Sequence, residues 1–399
     1  MAHAKIRLST GAGKMFADRT HWNLENNRLS HALSQHRAAG KPLLDMTLSN
    51  PTECGFEYDR EAILRALGNP AALKYEPSAM GLAVARGAIR EYYASGGYHI
   101  SVEDILLTTG TSEAYSFIFR ALCDPQDEVM VPAPGYPLFT YLADILDVKL
   151  VHYPLNYDHG WQIDFHALQS GVTPRTRAIV VVHPNNPTGH FAKVHEIARL
   201  NQICAGHDLA LIADEVFHDF ALGEAPPASF VGNSRALTFT VSGISKICGL
   251  PQMKASWMVL SGPAQHKADA LRRLEVIADT YLSMNAPVQL AIPEFLGLRH
   301  KFQEQLMARV RNNLKELDRK FDEKKICARL DLEGGWNAVL RVPATRTDED
   351  LVIELLTTRE VLVHPGYFYD FPSDGNLVVS LITPEKPFAE GIQRLLSLF

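Results

Sequence analysis

Lys246 stands in the string Ser242-Gly-Ile-Ser-Lys246, downstream of an apolar run that ends in an acid, Leu209-Ala-Leu-Ile-Ala-Asp214. A lysine amine can hold an aldehyde cofactor as a Schiff base. A buried carboxylate can keep a pyridine nitrogen of that cofactor protonated, so that the ring accepts electrons. Either residue alone would be an ordinary surface charge. The pair gains meaning because further parts suited to the same cofactor occur along the chain. Thr108-Thr-Gly-Thr-Ser-Glu-Ala114 lies where an apolar run gives way to a helical pattern. A strand-to-helix turn points free N–H groups and the positive end of the helix outward, which suits phosphate. Gly110 permits close approach, and Thr111 and Ser112 add hydroxyl donors. The same residues would also serve as a plain helix cap.

Pro132-Ala-Pro-Gly-Tyr-Pro137 is a stiff turn whose Tyr136 can lay its ring on a planar cofactor, or simply pack. His183-Pro-Asn-Asn-Pro-Thr-Gly189 is the most specific string in the chain. It follows an apolar strand and projects Asn186 from the carboxyl end, where ligands of open α/β sheets gather. A neutral amide there can donate to a phenolate oxygen. No metal is expected from His183, His190 and His195, which we read as lacking an acid or cysteine at ligand spacing. Glu215 rivals Asp214 but should point to the other face. Lys254, in Gly249-Leu-Pro-Gln-Met-Lys254, can bring a charge to phosphate or stand exposed in solvent. Taken together, these parts describe a site for pyridoxal phosphate.

Elements must position these residues, and the composition allows them. The 399 residues are 46% hydrophobic and 21% charged, enough for a large core and two domains. A net charge of −6 offers no basic field to nucleic acid. Five scattered cysteines without a Cys-x-x-Cys point to reduced thiols in the cytoplasm. The first residues, Met1-Ala-His-Ala-Lys-Ile-Arg7, lead into no apolar signal core, and runs such as Ala178–Val182 are too short to span a bilayer. From residue 80 onward short apolar strands alternate with helices. That pattern predicts an α/β fold with a mainly parallel sheet of the seven-stranded type, covered by helices on both faces. Helices are expected over 22–38, 264–283 and 300–324, and after residue 328 the pattern changes to that of a smaller α+β domain. The expected division is 49–290 for the large, cofactor-binding domain and 1–48 with 291–399 for the small one.

In this order, from Tyr75 to the C-terminal strand, the strings resemble the aspartate aminotransferase family, the fold-type I class I/II aminotransferases. The resemblance implies that Lys246 tethers pyridoxal phosphate and carries a proton between the substrate Cα and the cofactor. It implies that Asp214 faces the pyridine nitrogen, Asn186 the ring oxygen and Tyr136 the ring face. Gly110, Thr111, Ser112 and Lys254 would hold the phosphate. It also implies a homodimer with shared active sites, because the tyrosine matching Tyr75 reaches the neighbouring subunit's phosphate. The implied reaction is amino transfer between an amino acid or amine and a 2-oxo acid by a ping-pong route. A C–S lyase on the same scaffold, or a cofactor-binding sensor without turnover, are the alternatives.

Four positions depart from the family pattern. Phe217 stands where a tyrosine hydroxyl is usual, Gly243 where a serine often precedes the lysine, and Lys254 where an arginine is usual. In Asn376-Leu-Val-Val-Ser-Leu381, Val378 takes the place of the arginine that clamps the substrate carboxylate. Arg19, Arg28 and Arg341 are candidate substitutes. Without the clamp, aspartate and glutamate should be poor substrates, and Val378→Arg should strengthen the binding of simple amino acids.

Overall fold

The structure, a computed structural model, describes residues 15–224 and 226–399. The reading of the first seven residues therefore lies outside the described residues. Strand β1 (Leu44–Asp45) precedes a large sheet of eight strands. These are β2 (Ile105–Thr108), β3 (Glu128–Ala133), β4 (Lys149–Tyr157), β5 (Trp161–Ile163), β6 (Thr176–Val182), β7 (Ala210–Asp214), β8 (Thr238–Gly243) and β9 (Ser256–Ser261). Their spatial order is β2-β9-β8-β7-β6-β3-β4-β5. The run β8-β7-β6-β3-β4 is parallel. Strand β9 opposes both of its neighbours, and β5 adds an antiparallel edge beyond the seven strands the sequence predicts.

Strands β7 and β8 are buried along their whole length, as expected of a sheet with helices on both faces. One face packs Phe239, Val241 and Met258 against Phe117 and Ile118 of helix Thr111–Leu122 and Leu274 of helix Ala264–Tyr281. The other face packs Ile179 and Leu211 against Leu200 and Ile203 of helix Val194–His207. Full burial of each such side chain stabilises the fold by about 1.5–3 kcal/mol.

Beyond the large sheet come β10 (Ala328–Arg329), β11 (Asn337–Arg341), β12 (Val361–Leu362), β13 (His364–Pro365) and β14 (Asn376–Ser380). Four of these form an antiparallel sheet in the order β10-β11-β14-β13, while β12 pairs in parallel with β1. The N-terminal helix runs only over Arg28–Ala38, because the Asn27 side chain caps the N–H of Ser30 and sets its start. A single helix of 39 residues, Ala286–Lys324, carries Pro293 within it. It packs on helices Arg60–Leu67 and Ala83–Ser95 of the large domain and on helix Glu385–Leu396 of the small one. The division expected at residue 290 thus falls inside one helix. Among the described residues, no helix is long and apolar enough to cross a membrane.

Candidate active site

The parallel strands end side by side. Val182 is in register with Asp214, and Asp214 with Val241. The His183 N–H donates to the Asp214 carbonyl at 2.7 Å, and the Glu215 N–H donates to the Val241 carbonyl at 2.8 Å. This register gathers the 183–189 loop, Asp214 and the segment leading to Lys246 along one carboxyl edge of the sheet.

Asp214 is buried. Its Oδ2 accepts the Tyr115 hydroxyl at 2.9 Å and its Oδ1 accepts the Val216 N–H at 3.2 Å. Burial raises its pKa to about 6, against the opposing pull of those two hydrogen bonds. Glu215 points elsewhere, as alternation along a strand requires. Its oxygens accept the Ser229 hydroxyl and the Phe230 N–H, each at 2.7 Å.

Lys246 sits in the short helix Ile244–Ile247 directly after β8. Its Nζ lies 4.8 Å from the Trp336 ring centroid and 5.4 Å from that of Phe217. The two rings meet edge to face at 4.8 Å. Among the described residues the amine makes no hydrogen bond and no ion pair, although the Asp214 carboxylate acts on it through space. Burial lowers its pKa to about 8, with Asp214 pulling the other way. Such an amine is a far better nucleophile and base at neutral pH than a solvated lysine.

Asn186 is held by the small domain, since Asn337 Nδ2 donates to its Oδ1 at 2.8 Å. Gly189 explains why the loop can dock there. A Cβ at this position would come within 2.6 Å of the Gly334 carbonyl, and φ is +71°. Tyr136 is half-exposed. Its hydroxyl pKa is raised first by burial and then by the Asp214 carboxylate, which places the ring within electrostatic reach of that acid. Gly110 is the N-cap of helix Thr111–Leu122, and no side chain caps that end. The Glu113 carboxylate instead turns back onto the N–H and hydroxyl of Thr109. Lys254 is exposed and makes no ion pair among the described residues. Tyr75 is 79% exposed.

This arrangement fits pyridoxal phosphate. The half-buried amine without a hydrogen-bond partner can take the aldehyde. The buried carboxylate can face a protonated ring nitrogen, and the uncapped helix end can take the phosphate. When bound, the cofactor supplies an aldehyde that captures an amine and a ring that accepts electrons.

Some expectations change. Arg19 is paired with Asp147 at 2.8 Å, Arg28 with Asp350 at 2.7 Å and Glu349 at 3.2 Å, and Arg341 lies over the Tyr157 ring. All three arginines proposed as carboxylate clamps thus have acidic or aromatic neighbours of their own. Val378 is fully buried, in register with Val339 and packed among Leu330 and Tyr369. An arginine there would be a buried charge, so Val378→Arg cannot be the simple gain of binding that the sequence suggests. His183, Glu215 and His218 cluster with their ligand atoms within 4.8 Å of one another. The nitrogens of His183 are nevertheless taken, one donating to the Ala228 carbonyl and the other accepting the Ala192 N–H. Tyr115, Trp336 and Asn337 were missed as site residues. The string Gly334-Gly-Trp-Asn337, a glycine pair before an aromatic and an amide, was the available signal for the last two.

The sequence profile described as aminotransferase class I and II matches residues 55–391. An alanine aminotransferase from Mycobacterium tuberculosis is 30% identical over 370 residues, covering 90% of this chain and 86% of that protein. The glutamate-pyruvate aminotransferase AlaA of Escherichia coli is 34% identical over 261 residues, covering 65% of this chain and 64% of its own length. Among solved structures, an aminotransferase from Escherichia coli superposes with a TM-score of 0.84 at 26% identity, covering 94% of each chain. The chain thus belongs to the class I and II aminotransferases, and it is a pyridoxal-phosphate-dependent transaminase.

Proposed function

We propose that Lys246 is the residue that holds the cofactor and moves the proton, and that the amino donor is a small α-amino acid of the alanine type, with a 2-oxo acid as acceptor. The observation that carries the assignment is the Lys246 amine itself, enclosed by Phe217 and Trp336 and lowered by burial to a pKa of about 8. Near neutral pH such an amine can accept the proton from the donor's Cα and give it back. Phe217 and Trp336 flank it. Asp214 would hold the proton on the cofactor's ring nitrogen, with the Tyr115 hydroxyl bonded to Asp214. Asn186, itself anchored by Asn337, would serve the ring oxygen, Tyr136 the ring face, and Gly110, Thr111, Ser112 and Lys254 the phosphate.

The donor class rests on the names of the relatives. Exposed Tyr75 supports a homodimer in which this ring serves the partner's site. Five free cysteines support the cytoplasm as the compartment. Rapid mixing of the holoenzyme with L-alanine tests the reading. A single turnover should yield pyruvate and an equal amount of pyridoxamine phosphate. With an S-substituted L-cysteine in place of alanine, release of pyruvate, ammonia and thiol without pyridoxamine phosphate would show a C–S lyase instead. Faster turnover with L-aspartate than with L-alanine would overturn the donor class.

A further inference from the structure

Gly243 occupies the position where a serine hydroxyl is usual in relatives, and the structure shows why no side chain stands there. A Cβ on Gly243 would lie 2.5 Å from Ser256 Oγ and 2.9 Å from the Ala255 carbonyl oxygen. The φ of Gly243 is 176°, an extended value open to any residue, so the bar is steric. Ser256 already fills the space that a residue 243 side chain would enter.

The sheet fixes what Ser256 can reach. On β9 it is in register with Gly243 of β8 on one side and with Thr108 of β2 on the other. Residues in register on adjacent strands carry their side chains on the same face. Ser256 therefore lies between the chain segment that leads to Lys246 and the one that leads to the Gly110 turn. The Thr108 hydroxyl is already donated to the Gly110 carbonyl at 3.2 Å. The Ser256 side chain is 2% exposed, yet its hydroxyl makes no hydrogen bond among the described residues. A hydroxyl without a protein partner on a buried residue, next to a helix end that no side chain caps, is free to donate to an outside acceptor.

We propose that Ser256 supplies from the neighbouring strand the hydroxyl that Gly243 lacks, and that it donates to the cofactor's phosphate beside the Gly110–Ser112 turn. The exchange is reciprocal, because a hydroxyl at 256 requires glycine at 243. The proposal rests on the reading of the 110–112 turn as the phosphate site.

The test is titration of the apoprotein with pyridoxal phosphate and, separately, with pyridoxal, which lacks the phosphate. A hydrogen bond to a charged group corresponds to about tenfold to a hundredfold in affinity. Ser256→Ala should lose that factor for pyridoxal phosphate and bind pyridoxal like the wild type. Gly243→Ser alone should weaken the phosphorylated cofactor, through the clash. The double exchange, Gly243→Ser with Ser256→Gly, should bring its affinity back toward the wild-type value. Unchanged affinity in Ser256→Ala would overturn the proposal, as would an equal loss for both compounds. Thr111→Ala separates the two levels of the argument. If Thr111→Ala loses pyridoxal phosphate selectively and Ser256→Ala does not, the role of Ser256 alone is wrong. If neither variant discriminates, the phosphate lies elsewhere and the reading of the turn fails with it.

Discussion

Tyr115→Phe removes one hydroxyl and leaves the ring in place, edge to face with Phe139 at 5.1 Å and Phe119 at 6.0 Å. That hydroxyl is one of the two hydrogen-bond donors to Asp214 and the only one on Oδ2 among the described residues. Burial pushes the phenol's own pKa far up, so it stays a donor throughout the working range. A hydrogen bond to a charged group is worth roughly 1.5–3 kcal/mol, and each pH unit corresponds to 1.36 kcal/mol, which gives a rise of roughly 1–2 pH units for Asp214. Asp214 already titrates at about 6 in the protein without cofactor. Its ionised form would then fade close to neutrality in the variant. Affinity of the apoprotein for pyridoxal phosphate, measured as a function of pH, reads this directly. In the wild type it should fall as pH drops through about 6. In Tyr115→Phe the same fall should begin roughly 1–2 pH units higher. Affinity at neutral pH should drop by about tenfold while remaining near normal on the alkaline side. A loss of equal size at every pH would mean that Tyr115 acts only through packing, and an unshifted profile would refute its role on Asp214.

Lys246→Met should abolish amino transfer, and borohydride should fix the cofactor to Lys246 in the wild type and nowhere else. The variant also tests the cost of burying the amine. The folded pKa of about 8 lies below the ordinary 10.5, so the native contribution is complete above 10.5 and is lost as pH falls through 8. Apo Lys246→Met should therefore be more stable than the wild type at neutral pH by about 3 kcal/mol, with the gain vanishing in strongly alkaline buffer; a gain independent of pH in thermal melts would contradict this. Asp214→Asn should lower the transamination rate by orders of magnitude, because an amide cannot hold a ring proton. The raised Asp214 pKa makes a native contribution that is complete below the unfolded value of 3.8 and lost as pH rises through about 6. Melting of the apo Asp214→Asn variant should therefore show added stability above that pH and none in acid. Val378→Arg should destabilise the fold by roughly 3–5 kcal/mol, and denaturant unfolding with an unchanged midpoint would show that the valine pocket is open.

Much of the site was legible because its parts are local strings at strand ends. Asp214 closes an apolar run, Asn186 sits in a proline-bounded loop, and Lys246 follows a strand, so each could be placed without knowing what lies beside it. Tyr115 was not legible, because a tyrosine inside an apolar helix reads as packing, and its bond to Asp214 spans 99 positions. Trp336 and Asn337 reach the site from the other domain, which no local pattern predicts. Strand β9, Ser256-Trp-Met-Val-Leu-Ser261, adjoins a proline-containing turn, and its antiparallel direction is set by pairing with β8 and β2, which no local string states. The helix expected from residue 300 in fact begins at Ala286. Pro293 lacks an N–H and normally marks a helix boundary, but here the flanking contacts with two large-domain helices hold the axis together.

That helix has a mechanical consequence. At a rise of about 1.5 Å per residue it forms a strut of roughly 58 Å that belongs to both domains at once. No loose linker exists at residue 290 around which the smaller domain could swing. Any closing motion over a substrate must bend or tilt the strut, and Pro293, with one backbone hydrogen bond missing, is the place where bending costs least. The strut also ties the fates of the two domains. Severing the chain at 290 would strip Phe295 and Leu296 from the core beside Ile89 and Trp257, and Leu29 and Met46 from the core around Leu306 and Val310. Neither half would keep its packing, and the intact chain should melt as one cooperative body.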